Sequence, residues 1–272
     1  MIDQLAGFTI VTADLESSCA AYRQWLGYQS GPITQVGEEK AKLWGVPQAA
    51  GARMVEMRPQ SAETRFIRFV ESVPDPAYQP LRHYGWAAAE IIVQNVDTLA
   101  MRLDDASCPF TIIGPPAVLD FDFTDQIKAM QVVGPSGEVL YLTQVDGEIP
   151  GFDLPKAKSF VGQLFIMVLG VPDLEVAAGA YADWGCPVGP MIAARIDVLS
   201  EVHGLPLAHR HSLTTAALNG KSFLELDAYP DTATLRPLSS LGLPSGIAMV
   251  SFHGQGPAGL RIGPAGEWVE IL

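Results

Sequence analysis

Two glutamates stand in matching apolar settings, Glu225 within Leu224-Glu225-Leu226 and Glu270 within Val269-Glu270-Ile271. On a strand, successive side chains point to opposite faces, so each carboxylate lies on the face away from its apolar flanks. Two carboxylates that meet on a dry face repel one another and lose solvation. That raises at least one pKa and gives a carboxyl suited to general acid/base work. The plain alternative is that both sit on wet strand ends. Four of the five histidines fall in the same C-terminal half: His203, His209, His211 and His253. His209 and His211 are two apart and share a face if that segment is extended, so either could supply an imidazole to the two glutamates. Glu225, Glu270, His211 and His209 are therefore the candidate catalytic groups, and His203 and His253 are candidate substrate contacts. For any single histidine the alternative is a surface or internally satisfied position. His83, beside a proline-rich connector, reads as structural. Gly254, Gly256 and Gly259 lack a following helix and a phosphate-binding lysine, so that stretch reads as a turn.

The elements that must position these groups are repeated. Val11-Thr12-Ala13-Asp14-Leu15-Glu16, followed by Tyr22 and Trp25, returns as Leu169-Gly170-Val171-Pro172-Asp173-Leu174-Glu175, followed by Tyr181 and Trp184. Gly134-Pro135-Ser136-Gly137-Glu138 returns as Gly263-Pro264-Ala265-Gly266-Glu267. An A, B, A, B order means one small folding unit used several times. In the first unit an apolar strand leads to Asp14, a helix cap. Leu15, Cys19, Tyr22 and Leu26 then form one helical face, Gly27 ends it, and three short strands follow. The second unit places Asp97 as cap, and the third repeats the first. The fourth has lost its helix. Proline-bearing connectors separate the units at 70–85, 147–158 and 230–244. The Tyr and Trp of each helix read as core by their spacing.

The chain of 272 residues is 48% hydrophobic, enough for sizeable cores. Thirty acidic against 17 basic residues give a formal charge of −13, which disfavours nucleic acid and anionic membrane as partners. Three scattered cysteines make neither a disulfide framework nor a zinc motif. No secretory signal and no membrane-spanning run is read, so the expected setting is cytoplasmic.

A βαβββ unit that opens with an apolar strand and Asp-Leu-Glu resembles the vicinal oxygen chelate superfamily. So does its helix with Tyr and Trp, and its close on Gly-Pro-x-Gly-Glu. That superfamily includes glyoxalase I, bleomycin-resistance proteins, methylmalonyl-CoA epimerase and extradiol dioxygenases. The resemblance covers essentially the whole chain. It implies an α+β fold of four βαβββ modules paired into two half-barrel domains. Residues 1–146 would hold the N-terminal pair (1–72 and 83–146), and 159–272 the C-terminal pair (159–230 and 245–272, without the last helix). It also implies where metal ligands would lie: in each first strand seven residues before the capping Asp, and in each last strand at the Glu between apolar residues. Those positions hold Gly7, Arg68, Glu90 and Tyr141 in the first two units, and Ile166, Glu225 and Glu270 in the last two. Ser251 and His253 are offered by the fourth unit without a clear register. Gly and Ile cannot ligate and a guanidinium has no acceptor, so no metal site is expected. Arg68 and Glu90 are expected either to form an ion pair in its place or, for Arg68, to face solvent. Both join Tyr141 as candidate substrate contacts.

Three functions remain open at this stage. The first is an enzyme acting on a small, largely apolar or aromatic molecule by carboxylate-mediated proton transfer, of isomerase, lyase or hydrolase type and without a cofactor. The second is a non-catalytic binding or resistance protein. The third is a metal-dependent dioxygenase or glyoxalase with relocated ligands. The fourth unit's missing helix leaves a sheet face to be covered by the 231–246 connector or by a second subunit, which suggests a homodimer.

Overall fold

The computed structural model describes residues 1–119 and 124–272. Unit 1 runs β1 (Ile2–Thr12), α1 (Leu15–Ala21), β2 (Gln29–Ser30), β3 (Thr34–Gln35), α2 (Glu38–Leu43), β4 (Arg53–Arg58) and β5 (Phe66–Glu71). Unit 2 runs β6 (Gly85–Val93), α3 (Val96–Leu103), β7 (Thr111–Val118), β8 (Ile127–Val133) and β9 (Val139–Val145). In unit 3, β10 (Val161–Val171) and α4 (Leu174–Asp183) are followed by β11 (Ile192–Ala194), α5 (Asp197–His203), β12 (His211–Leu218) and β13 (Ser222–Ala228). Unit 4 has only β14 (Ile247–Gly254), β15 (Gly259–Ile262) and β16 (Trp268–Ile271), with no helix.

The caps follow local chemistry. The Asp14 side chain accepts from Ser17 N–H and Asp173 from Val176 N–H, and Gly27, at φ 72°, closes the π-helical turn Tyr22–Leu26 that continues α1. In unit 2 the cap is Asn95, which accepts from Thr98 N–H, and not Asp97. Asp97 lies in the first turn and pairs with Lys128.

Two curled eight-stranded sheets result, in the orders β15-β16-β14-β1-β5-β4-β2, with β3 also on β4, and β11-β12-β13-β10-β6-β9-β8-β7. The sheets therefore join unit 1 to unit 4 and unit 2 to unit 3. This corrects the expected pairing of consecutive units, 1 with 2 and 3 with 4. The reason lies in the first strands, each of which pairs in parallel with its own unit's last strand and leaves its other edge open. The two open edges of β6 and β10 close on each other antiparallel, and those of β1 and β14 do the same.

Consecutive units are instead clasped by side chains. Tyr22 of unit 1 donates to Glu138 of unit 2 at 2.7 Å, and Tyr181 of unit 3 donates to Glu267 of unit 4 at 3.0 Å. This explains why Tyr and the Gly-Pro-x-Gly-Glu turn recur together. The same turns offer the Ser136 and Ala265 N–H groups to those carboxylates. One continuous core contains Phe8 and Phe69, Ile91 and Leu140, Leu169 and Leu224, and Phe252 and Val269, and so draws on all four units. Unit 4's helix-side face is already covered within the chain: Val250, Phe252, Val269 and Ile271 are buried, and Trp86 tilts against Phe252. A second subunit is not needed to cover it.

Candidate active site

Alternation along the strands puts Phe8, Leu140 and Leu224 in the core and turns their neighbours to the hollow of each sheet. In the unit 2/unit 3 sheet, Glu90 lies opposite Ile166 across the β6·β10 seam and beside Tyr141 on β9. Glu225 lies beside Val168 on β13. Glu90, Tyr141 and Glu225 line a cavity of about 430 Å³. Helix α5 closes one side with Val198 and Glu201, and β7 and β8 close the other with Ile113, Ala117 and Gln131. A second hollow of about 70 Å³ is lined by the same two glutamates and walled by Phe152, Phe165, Phe223 and Leu154.

The carboxyls are short of positive partners. The single Lys or Arg among the described lining residues is Arg195, half-exposed and paired with Asp197 at 3.1 Å. Thr143 Oγ1 donates a short hydrogen bond to Glu90. Burial, followed by the charge of Glu225, pushes the Glu90 carboxyl up to about 8. Burial pushes Glu225 up to about 7, with a hydrogen bond to Asp227 drawing it back. Asp227 shares the Glu225 face, is buried, and stands well above the usual carboxylate range because of burial and then the Glu225 charge. Sequence reasoning missed Asp227, although its i+2 spacing from Glu225 was the available signal. Burial also raises the Tyr141 phenol well above its normal value.

The unit 1/unit 4 hollow has the opposite character. Arg68, 1% exposed, donates to Glu270 at 2.8 Å, to Thr9 at 3.2 Å and to Glu56 at 3.4 Å. Trp44 Nε1 donates to Glu270 at 2.6 Å and Ser251 donates a further short bond. The guanidinium also lies over the Phe66 ring, 4.6 Å from its centroid, and 5.6 Å from that of Trp44. Burial alone would raise Glu270, but the Arg68 charge and the bonds from Ser251, Arg68 and Trp44 hold it below its ordinary value. At Gly7 a Cβ would sit 2.4 Å from the Phe66 carbonyl oxygen, so close strand approach demands glycine there.

Several expectations need correction. Glu225 and Glu270 do not meet, because they belong to different sheets; the partner of Glu225 is Glu90. Arg68 neither pairs with Glu90 nor faces solvent, because unit 1 docks on unit 4 and delivers it to Glu270. His209 and His211 assist neither glutamate. His211 is buried against Ser200 Oγ at 2.9 Å, burial pushes it down to about 4, and the His209 ring lies edge-on to it at 4.7 Å. His203 ends α5 and is bound to Thr232 Oγ1 at 2.7 Å and the Leu81 carbonyl at 3.0 Å. His253 is exposed at the end of β14, opposite Gln4. None of these four histidines lines either hollow.

The metal positions of the resembled superfamily can be tested against these side chains. In one hollow a guanidinium already sits on the single carboxylate. In the other, Ile166 and a hard-to-ionise Tyr141 take two of the four positions. Among the described residues no group of three or more His, Cys, Asp or Glu could hold a metal ion. The residues present do not fit the metal.

No family model matches the chain. No curated protein matches it either. Solved structures do. Glyoxalase I from Zea mays aligns with a TM-score of 0.61 at 13% identity, covering 99% of this chain and 92% of that one. A putative dioxygenase from Bacillus subtilis aligns with a TM-score of 0.58 at 10% identity, covering 99% and 84%. The chain shares the fold of these glyoxalase I and putative dioxygenase structures over nearly its whole length. No helix among the described residues is long and apolar enough to cross a membrane.

Proposed function

We propose that this protein is an enzyme that moves protons on a small, largely apolar or aromatic molecule held between units 2 and 3. The observation that carries this reading is the meeting of Glu90 and Glu225 in one cavity where, among the described residues, the single lining cation, Arg195, is paired with Asp197 and not with either of them. Two carboxyls placed so cannot both ionise freely, and their proton affinities separate. Burial raises both carboxyls, the Glu225 charge raises Glu90 further and a hydrogen bond with Asp227 lowers Glu225, so Glu90 is the member that holds a proton and Glu225 the one that gives its own up. Glu225 then takes a proton from a carbon next to a carbonyl, and Glu90 gives its proton to the carbonyl oxygen, which leaves an enol. Return of the protons at other positions gives an isomerase, and loss of a group from the enol gives a lyase. Neither direction needs a metal or a cofactor.

The test follows proton exchange and needs no natural substrate. Wild-type protein in deuterated buffer is incubated with 1-phenylalkanones, and the α-proton signal is followed by NMR. Loss of signal above the buffer rate is expected, falling at least about 100-fold in Glu225→Gln. Ketone binding without any exchange in the wild type would overturn catalysis and favour a binding protein.

A further inference from the structure

The two hollows share Glu90, Glu225, Leu119 and Leu213, so the carboxyl pair stands at the junction between a wide chamber and a narrow one. Their walls differ. The wide chamber carries Gln131, Arg195, Asp197 and Glu201 together with apolar groups. The narrow one is walled by Phe152, Phe165, Phe223, Leu154 and Ile127, and its polar groups other than the glutamates are the hydroxyls of Thr143 and Thr215. A molecule that fills both lies against both glutamates. Resting on the proposed proton transfer, we infer that the substrate is two-armed: a bulky or ring-bearing body in the wide chamber, and a short unbranched apolar arm in the narrow one. The reacting carbon lies at the root of the arm. Phe152, Phe165 and Phe223 are then the residues that measure the arm.

The size of the narrow chamber sets the limit. Its 70 Å³ of water-accessible space holds roughly five water-sized groups at 10–15 Å³ each. An arm of about three to five carbons fits; a longer one must push the carbonyl away from Glu90 and Glu225. Each methylene that enters a dry apolar pocket strengthens binding about fourfold, so affinity climbs with arm length and then breaks.

Binding of 1-phenylalkanones with one to eight alkyl carbons is measured by calorimetry for the wild type and for Phe223→Ala. Phe223 is only partly buried and faces the chamber, so its removal opens space without emptying the core. Affinity is expected to rise about fourfold per carbon to a maximum near three to five carbons, and Phe223→Ala is expected to move that maximum by one or two carbons. Phe165→Leu serves as the second variant and should move it the same way. A maximum that stays in place in a folded variant overturns the inference, as does affinity that rises smoothly through eight carbons or ketones that do not bind at all. Binding is read without turnover, so a shifted maximum with no proton exchange would sink the catalytic reading while leaving the two-armed site standing.

Discussion

Arg68 and Glu225 occupy equivalent places on β5 and β13, two residues beyond the pairs Gly7–Phe66 and Ile166–Phe223. That exchange of sign, with Ser251 and Glu270 in unit 4 where unit 2 has Glu90 and Tyr141, separates the two hollows. Where a guanidinium stands, Glu270 is neutralised, ionised and locked; where a carboxylate stands, Glu90 is left to repel it. Removing Arg68 strands a buried carboxylate. Arg68→Met should therefore cost roughly 3–5 kcal/mol in urea unfolding, and adding Glu270→Gln should recover part of that loss. In the other hollow the coupling runs through repulsion. Glu225→Gln should lower the Glu90 midpoint from about 8 while burial keeps it above the ordinary carboxylate range. Carbon-13 NMR of labelled glutamate reads this directly, and an unmoved Glu90 would show that the two carboxyls are independent. The glutamate in Leu224-Glu225-Leu226 was legible as an inward carboxylate because alternation alone decides its face. Its partner was not, because Glu90 is 135 positions away by number and nothing in a strand's own sequence says which other strand it will meet.

At the scale of elements, the contrast lies in the second, short helices of units 1 and 3, α2 and α5. Helix α2 ends at Trp44, whose indole reaches Glu270 and fills the hollow. Helix α5 ends at His203, which is held by Thr232 and Leu81 away from Glu225, and so the space beneath α5 stays open. Trp44→Ala should cost about 3–5 kcal/mol by leaving a large void and a Glu270 carboxylate oxygen without its donor, again read by urea unfolding. The tyrosine–glutamate clasps also belong to this scale. Tyr22→Phe should destabilise by about 1–3 kcal/mol, since the buried Glu138 loses a donor. Tyr181→Phe should do the same at Glu267. The repeat was legible because both halves of each clasp recur in order. Their contact was not, because it joins a helix to a turn 116 residues later.

For the whole molecule, the buried carboxyls set the response to pH. Glu90 stands at about 8, and Glu138, Glu225 and Glu267 at about 7, each raised first by burial from an ordinary value of 4.5. A carboxyl with a raised folded-state pKa stabilises fully below its unfolded value, and that contribution fades as pH climbs through the folded value. Stability should therefore fall between pH 5 and pH 8. Glu270 acts in the opposite sense and His211, pushed down to about 4, withdraws support as pH drops below its ordinary 6.5. Above pH 6.5 both of these are saturated, so only the decline remains. The melting temperature should drop by roughly 5 °C from pH 6.5 to pH 8.5, and Glu90→Gln should flatten the drop. A melting temperature that rises over this interval would show that these four carboxyls are not held above their ordinary values in the folded protein.

The repeat, the module and the inward face of each carboxylate are written in local pattern: periodicity, caps and turns, which act over a few residues. Which modules share a sheet, and with that everything electrostatic, is settled by how the folded units pack. Pairing first strand to first strand sent Arg68 to Glu270 and Glu90 to Glu225, where docking consecutive modules would have brought Arg68 to Glu90. Charge interactions depend on distance in space and not on separation along the chain, so they carry no signature in it. The same residues would thus have spelled a different site in a different pairing.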